Sequence, residues 1–421
     1  MDFTYTEEQE MLRKMAREFL EKECTERFIR AMEKDARGYS PDLWKKIAEL
    51  GWLGLVIPEK YGGTEGSITD MCVLYEEFGR SMFPSPHFST AVLCGMTILS
   101  AGSEEQKAAY LRKIVNGDCV MALALTEPET SWNGRAWDPD GVTMRARQDG
   151  DDYTLSGTKL FVHDANSADY LLVVARTRAT RNPANGVTLF LVGAKDPGIK
   201  CTLLQTIAGD KQCEVVFKNV RVNKKNIVGQ IHGGWPPLAQ VLKIGAVILS
   251  AQMLGAAQKL LELTVDYAKT RVQFDMPIGI NQYIQEHCVN LYADMDGIKW
   301  STYYAAWKLT KGDPADFEAA VAKGWASDAS ERITWCAHQV FAGIGYTVND
   351  GLVPLFSRRG KVLQLYLGDS AFHKEKIVEQ LEKWPKPERP QGPPLGLWDN
   401  DEEIVIPHWY EPFAAQSKPS A

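Results

Sequence analysis

Apolar positions fall into two textures along the chain, and the switch between them sets the predicted layout. Over residues 1–121, Leu12, Met15, Phe19 and Leu20 recur at helical spacing, as do Leu43, Ile47, Leu50 and Leu53. The stretch Ile57 to Gly63 breaks the pattern with the Gly62-Gly63 pair. Helix returns over Met71 to Arg80 and again from Glu104, after the start signal Ser103-Glu-Glu-Gln. Over residues 122–235 the texture becomes short β-branched and aromatic runs between Gly, Asp and Asn: Val142 to Ala146, Tyr153 to Leu155, Tyr170 to Arg176, Val187 to Val192 and Glu214 to Lys218. These predict a small antiparallel β domain.

Residues 236–383 read as helix once more. Leu249, Met253, Ala256, Ala257, Leu260, Leu263 and Tyr267 predict one long helix over Gly245 to Thr270. A second runs through Tyr283, Cys288, Leu291 and Met295, and a third carries Ala326, Ala329, Ile333, Ala337 and Val340. From Trp384 to Ala421 a Pro-rich tail is barred from helix. The predicted class is α+β: an N-terminal helical domain, a central antiparallel β domain and a C-terminal four-helix bundle.

Composition narrows the chemistry without naming it. The chain has 421 residues, 45% hydrophobic and 24% charged, which supplies more than one core's worth of apolar residues. A formal net charge of -7 argues against nucleic acid and against an anionic membrane as partner. The N-terminus Met1-Asp-Phe-Thr-Tyr-Thr-Glu-Glu has no basic or apolar signal region, and no apolar run reaches the roughly 18 residues of a membrane helix, so a cytoplasmic protein without an integral membrane segment is expected. The eight cysteines and seven histidines are dispersed with no ligand spacing, so no metal site is expected.

The densest local signal is the corner Arg271-Val-Gln-Phe-Asp-Met-Pro-Ile-Gly-Ile-Asn-Gln282, which joins two predicted helices. By itself, Arg271 is a cation at a helix C-terminus, where the dipole favours it. The order Arg-x-x-Phe-x-x-Pro-Ile-Gly-x-x-Gln resembles a signature of the flavin-dependent acyl-CoA dehydrogenases. That resemblance covers about residues 1–383 and implies that Arg271, Phe274 and Gln282 bind the FAD of a neighbouring subunit.

Other elements carry the same resemblance in the same order. Thr126 of Leu123-Ala-Leu-Thr-Glu-Pro128 matches the threonine that faces the flavin ring. The family's following Gly-x-Gly-Ser-Asp stretch is Glu129-Thr-Ser-Trp-Asn133 here, with Trp132 in the serine's place. Gly157-Thr-Lys-Leu-Phe-Val-His-Asp164 resembles the strand whose aromatic lies on the isoalloxazine, which assigns Phe161 and His163 to the ring. Gln339-Val-Phe-Ala-Gly-Ile-Gly-Tyr346 resembles the turn against the FAD diphosphate and assigns Gln339 and Gly343 to it, with Ala342 standing where the family has glycine.

The catalytic glutamate departs from the pattern. Its usual Tyr-Glu-Gly-Thr segment is Tyr366-Leu-Gly-Asp369 here, so Leu367, or Tyr366 if the register slips by one, stands for the acid, and the alternative site on the long helix is Gly245-Ala246. Asp369, Tyr366 and His163 are the remaining candidates for the base, with Asp164 beside them. Asp369 also suits a helix N-cap. The resemblance places the acyl pocket on His87, Phe88, Ser89 and Leu93, together with Leu367. Residues 82–102 carry no Arg or Lys, so a neutral acyl group, branched or ring-bearing, is expected. The implied activity is FAD-dependent oxidation of an acyl-CoA to the enoyl-CoA with an unusual base, in a homotetramer or heterotetramer that passes electrons to an electron-transferring flavoprotein. A partner subunit with little activity of its own and a non-oxidative lyase or decarboxylase on the same scaffold are the alternatives.

Overall fold

The structure, a computed structural model, describes residues 4–130, 136–347 and 351–384. Residues 1–379 form one compact unit and 380–421 another, of which Gln380 to Trp384 are described.

The first part of the chain is helical: α1 (Glu7–Glu23), α2 (Glu26–Lys34), α3 (Pro41–Glu49), α4 (Ile68–Ser81), α5 (Met96–Ala101) and α6 (Glu104–Val115). Thr6, Thr25, Ser40, Ser67 and Ser103 each accept the backbone N–H three residues on, which gives these helices their fixed starts. The predicted start at Ser103 is a full capping box with Gln106. Ahead of α5, Phe88–Gly95 winds as a π-helix, a wide turn that the apolar spacing did not foretell.

The middle of the chain forms β1 (Met121–Ala124), β2 (Arg145–Asp149), β3 (Asp152–His163), β4 (Tyr170–Arg176), β5 (Val187–Gly193), β6 (Ile199–Leu204), β7 (Gln212–Asn223) and β8 (Ile227–Val228). The strand order is β6-β7-β3-β2-β4-β5-β8, with β1 beside β4. Pairing is antiparallel except where β1 and β2 meet β4. The strand expected from Val142 begins only at Arg145, because the N–H groups of Thr143 and Met144 are drawn to the Glu127 carboxylate. β4 and β5 are buried along nearly their whole length, as strands covered on both faces must be.

The C-terminal part consists of α7 (Trp235–Thr270), α8 (Gln282–Lys311), α9 (Asp316–Phe341), α10 (Leu352–Leu365) and α11 (Ser370–Leu381), with α7 to α10 packed as the four-helix bundle. α7 starts at Trp235 and not at Gly245, because Pro236 and Pro237 sit in a first turn that needs no N–H donors. It is long and apolar enough to cross a membrane, yet 67% of its apolar window is buried inside this fold. α4 lies directly on it: a β-carbon at Gly255 would stand 1.7 Å from the Glu76 carbonyl oxygen. Only glycine permits that approach. The buried Glu76 carboxylate locks the crossing by accepting from Tyr303 Oη at 2.6 Å and Gln258 Nε2 at 2.9 Å.

Candidate active site

Two of the sequence motifs are welded by a buried ion pair. Lys159 Nζ lies 2.7 Å from Glu127 Oε1 and donates to the Leu125 carbonyl at 2.9 Å, with both side chains almost fully buried. The N–H groups of Thr143 and Met144 satisfy the rest of the carboxylate. Such a pair costs desolvation, and its value lies in geometry: losing one partner strands the other in the core. The weld sets Thr126 beside β3, where the Thr126 hydroxyl donates to the Leu160 carbonyl and Leu160 N–H returns to the Thr126 carbonyl at 2.9 Å.

Directly after this contact the β3–β7 register slips between Lys159 and Val162. Phe161 takes φ +53° at the irregularity and stays 37% exposed. Thr126 is thus bonded to Leu160, the residue before an uncovered aromatic ring. A flat heteroaromatic group fits there.

β3 ends at His163, and Asp164 opens the turn after it. The His163 ring stacks on Tyr366 at 3.8 Å between centroids and 22° between planes, and its Nδ1 lies 3.7 Å from Asp210 Oδ2. Burial lowers the His163 pKa against the pull of Asp210. Asp164 Oδ2 accepts from the Ser89 hydroxyl at 2.5 Å, while burial pushes its carboxyl up to about 7. Burial, and next the Asp164 charge, raise the Tyr366 phenol well above its ordinary value, so it is a fixed hydroxyl and not a base near neutral pH. His163, Asp164 and Tyr366 line a cavity of about 120 Å³ with Phe88, Ser89 and Asp210.

The remaining expectations separate at this cavity. Phe88 and Ser89 line it. His87 does not: it is 1% exposed, accepts from Tyr75 Oη on Nδ1 at 2.8 Å and donates from Nε2 to the Trp52 carbonyl at 3.0 Å. Burial lowers its pKa to about 4, so it is a neutral core histidine with both nitrogens used. Leu93 packs behind the wall, 3.4 Å from where a Gly245 β-carbon would lie. Leu367 is 3% exposed with φ +60° and touches that same position from the other side.

Asp369 faces away from the cavity. It is exposed, and its Oδ1 accepts the Phe372 N–H at 2.9 Å as the cap of α11. The tight turn before it, with Leu367 at φ +60° and Gly368 at φ +99°, swings the chain outward. Two buried groups clamp that turn: Lys323 Nζ donates to the carbonyls of Gln364 at 2.9 Å and Gly368 at 2.8 Å, and His373 Nε2 meets the Leu367 carbonyl at 3.0 Å. Burial lowers Lys323 to about 7.

At the far end of the bundle the corner residues stand free. Val272–Gln273 and Met276–Pro277 pair as a minimal hairpin, with Phe274 and Asp275 both at positive φ in its turn. Phe274 at the tip is 98% exposed, and Arg271 and Gln282 are exposed beside it. Tyr267 of α7 stacks on Phe341 of α9 at 4.3 Å, bringing the ends of the two helices together. A β-carbon on Gly343 would meet nothing within 4 Å. Trp132 lies outside the described residues.

Sequence comparison accounts for this arrangement. The acyl-CoA dehydrogenase N-terminal domain matches residues 6–118, the middle domain 122–220 and the C-terminal domain 232–382. The chain belongs to the acyl-CoA dehydrogenase family. It is 32% identical to a 3-(aryl)acrylate reductase of Clostridium sporogenes over 90% of this chain and 100% of the relative. Among solved structures it is similar to butyryl-CoA dehydrogenase from Megasphaera elsdenii, with TM-score 0.82 and 29% identity over 91% of this chain and all of that one. A chain of the ChsE4-ChsE5 complex from Mycobacterium tuberculosis gives TM-score 0.82 and 26% identity over 92% of this chain and all of that one.

This acyl-CoA dehydrogenase is accordingly a FAD-dependent enzyme of the CH–CH bond of acyl-CoA thioesters. Its own residues are compatible with the cofactor: the uncovered Phe161 ring suits the flavin, and the open Gly343 turn, Arg271, Phe274 and Gln282 are exposed in the single chain. Sequence reading missed the Glu127–Lys159 weld, Asp210 and Arg359. Asp210 lies in the β6–β7 connection and Arg359 on α10, and nothing in their local sequence signals that they meet His163 and Asp164.

Proposed function

We propose that this acyl-CoA dehydrogenase oxidises its thioester to the enoyl-CoA with Asp164 as the proton acceptor in place of the missing glutamate. The supporting observation is the Asp164–Ser89 pair in the cavity wall. Ser89 holds Oδ2, and among the described residues Oδ1 has no hydrogen-bond partner. A carboxyl titrating near neutrality is well matched to general-base work, because it is available as carboxylate and still basic enough to take a weakly acidic proton. Asp164 takes the proton from the carbon next to the thioester carbonyl, and that C–H electron pair becomes the new C=C bond. Bound FAD supplies the acceptor for the hydride that leaves the β-carbon.

Neutral His163, stacked on Tyr366, closes one side of the cavity and excludes water. Phe83, Phe88 and Tyr366 offer the aromatic wall for a branched or ring-bearing acyl skeleton. Thr126, Phe161 and His163 hold the flavin ring, while Arg271, Phe274, Gln282, Gln339 and Gly343 reach the cofactor of a second copy in a homotetramer. An electron-transferring flavoprotein reoxidises the enzyme.

The test is to purify the chain alone, measure FAD per chain and follow flavin bleaching by a panel of acyl-CoA thioesters. Wild type is expected to be yellow and to bleach; Asp164→Asn should keep FAD and lose bleaching. Unchanged bleaching in Asp164→Asn would reject Asp164 as base. A second reading, a partner subunit in a heterotetramer, is favoured by the absence of an acid at both Leu367 and Gly245 and by the likeness to the ChsE4-ChsE5 complex. A colourless chain that gains flavin only with a second polypeptide would replace the homomeric reading with this one.

A further inference from the structure

One turn carries two walls of the cavity. Tyr366 stacks on His163 at 3.8 Å and meets Phe88 and Trp137 edge-on at 5.5 Å each, while the next residue, Leu367, fills the space at Gly245 beside Phe88. The backbone there is a costly one: Leu367 sits at φ +60°, where a β-carbon is crowded, and Gly368 at φ +99°. Contacts from outside the turn hold it. The main one is Lys323 of α9, fully buried and not itself a lining residue of the cavity. Its three N–H groups meet the Gln364 carbonyl at 2.9 Å, the Gly368 carbonyl at 2.8 Å and Ser327 Oγ at 3.0 Å, so the two backbone grips bracket Tyr366 and Leu367. Ser327 Oγ in turn donates to the Gln364 carbonyl at 3.1 Å.

The partners of this ammonium are neutral oxygens. Gln364 lies in the last turn of α10, where the helix dipole concentrates partial negative charge, and that stands in for a counter-ion. The titratable groups facing Lys323 are Asp369 and His373 from α11 and Lys361 from α10. Asp369 accepts the Phe372 N–H at 2.9 Å, Lys361 donates to Gln364 Oε1 at 3.0 Å, and His373, lowered to about 3 chiefly by burial, donates from Nε2 to the Leu367 carbonyl at 3.0 Å. Farther out, Lys374 of α11 pairs with Asp328 of α9 at 2.6 Å. Burial lowers Lys323 itself to about 7. An ammonium donates to three oxygens, whereas a neutral amine has two N–H groups and a lone pair, so deprotonation gives up one contact. The Ser327 hydroxyl can turn onto that lone pair only by leaving the Gln364 carbonyl.

We infer that Lys323 is a positioning residue for the acyl-CoA reaction: by gripping the backbone on both sides of Tyr366 and Leu367, it sets the wall against which the acyl group lies. This rests on the reading that the acyl group enters the Asp164 cavity. Lys323 touches no reacting atom and acts only through the turn. A lost grip leaves a buried carbonyl short of a donor and relaxes the left-handed backbone at Leu367, so the Tyr366 ring shifts on His163 and Leu367 shifts beside Phe88. The wall is complete only while Lys323 is an ammonium.

The experiment uses the full FAD-loaded enzyme with carbon-13 leucine methyls and follows the Leu367 methyl resonance, assigned by Leu367→Val, against pH. The neighbouring Phe88 ring makes that resonance sensitive to small movements. In wild type it should titrate with a midpoint near the Lys323 value of about 7. Lys323→Met keeps the length of the side chain and removes the donors. It should abolish the midpoint and, at wild-type FAD content, lower the limiting rate of flavin bleaching at least about tenfold with the acyl-CoA that bleaches wild type fastest. Ser327→Ala should keep a midpoint but move it down, since the ammonium loses one acceptor. A Leu367 resonance flat with pH in wild type would overturn the inference, as would an unchanged midpoint or a wild-type bleaching rate in folded Lys323→Met. The wild-type and Ser327→Ala titrations decide it even where Lys323→Met does not fold. Asp164 also titrates at about 7 in this cavity, so the midpoint must persist in Asp164→Asn, and its loss there would overturn the inference by assigning the titration to Asp164. Failure of Asp164 as base appears instead as bleaching that persists in Asp164→Asn, with the Leu367 titration intact.

Discussion

A β-carbon placed on Gly245 would stand 2.9 Å from Leu367 Cδ1, so the two positions where the family resemblance seeks a glutamate are neighbours in space, and Leu367 fills the gap that glycine leaves. The pair forms an apolar plug with Phe88 and Leu93, whose nearest atoms would lie 3.3 and 3.4 Å from that β-carbon. Restoring an acid here is therefore a packing problem before it is a chemical one.

Gly245→Glu should destabilise the fold by about 2–4 kcal/mol, because it overpacks the plug and buries a carboxyl without a partner. Gly245→Glu with Leu367→Ala should recover a large part of that loss, since Leu367 is the nearest obstacle. Urea unfolding of the two variants decides it, and equal stability would mean that the plug is not what limits the site.

The rate of flavin bleaching should rise with pH through a limb near the Asp164 value of about 7, because only the carboxylate accepts a proton. The Asp164 stability effect has the opposite sign. Its folded pKa is raised above the ordinary 3.8, so the folded state binds the extra proton between these values, and this group's contribution to stability is lost as pH climbs from about 4 through about 7. Asp164→Asn should abolish both the limb and that part of the slope.

Glu127→Gln should cost about 3–5 kcal/mol by leaving Lys159 charged and unpaired in the core. Glu127→Gln with Lys159→Met should cost less than the single change, as removing both charges removes the stranded one. Equal losses in denaturant melts would show that the pair is not coupled.

Phe274→Ala and Arg271→Ala should lower FAD affinity at least about tenfold while leaving far-UV circular dichroism unchanged, since both side chains are exposed in the single chain. Retention of FAD through gel filtration at wild-type levels would remove these residues from the cofactor site.

Ala342→Gly should stabilise the protein by about 1 kcal/mol. Ala342 adopts φ +52° and ψ -136°, a region that penalises a β-carbon. A fall in melting temperature would mean that the alanine methyl makes a contact worth more than the strain.

The readable parts of the chain were those in which residue type and local backbone are tied together. Thr126, Phe161 and the Arg271 to Gln282 corner each sit in a short motif whose order survives in the sequence, and the capped start at Ser103 is spelled out by its neighbours. Asp369 misled because proximity along the chain to the glutamate position is not proximity in space: the turn at Leu367 and Gly368 reverses the direction of the backbone. His87 misled because a lone histidine gives no sign that Tyr75 and the Trp52 carbonyl will use both its nitrogens. The strand expected from Val142 was shortened by the Glu127 carboxylate, which takes the Thr143 N–H from 16 residues away, a distance that strand propensity does not sense.

By itself, the sequence determined the helix–sheet–helix order, because periodicity and turn chemistry are local properties of the chain, and its motifs carried the family resemblance. Only the tertiary structure decided which charges meet. Asp164 came to Ser89, His163 to Tyr366 and Asp210, and Arg359 into the same cavity from β3, the π-helix, the β6–β7 connection and α10. Their ionisation depends on burial and on partners distant in sequence, and neither exists until the elements pack.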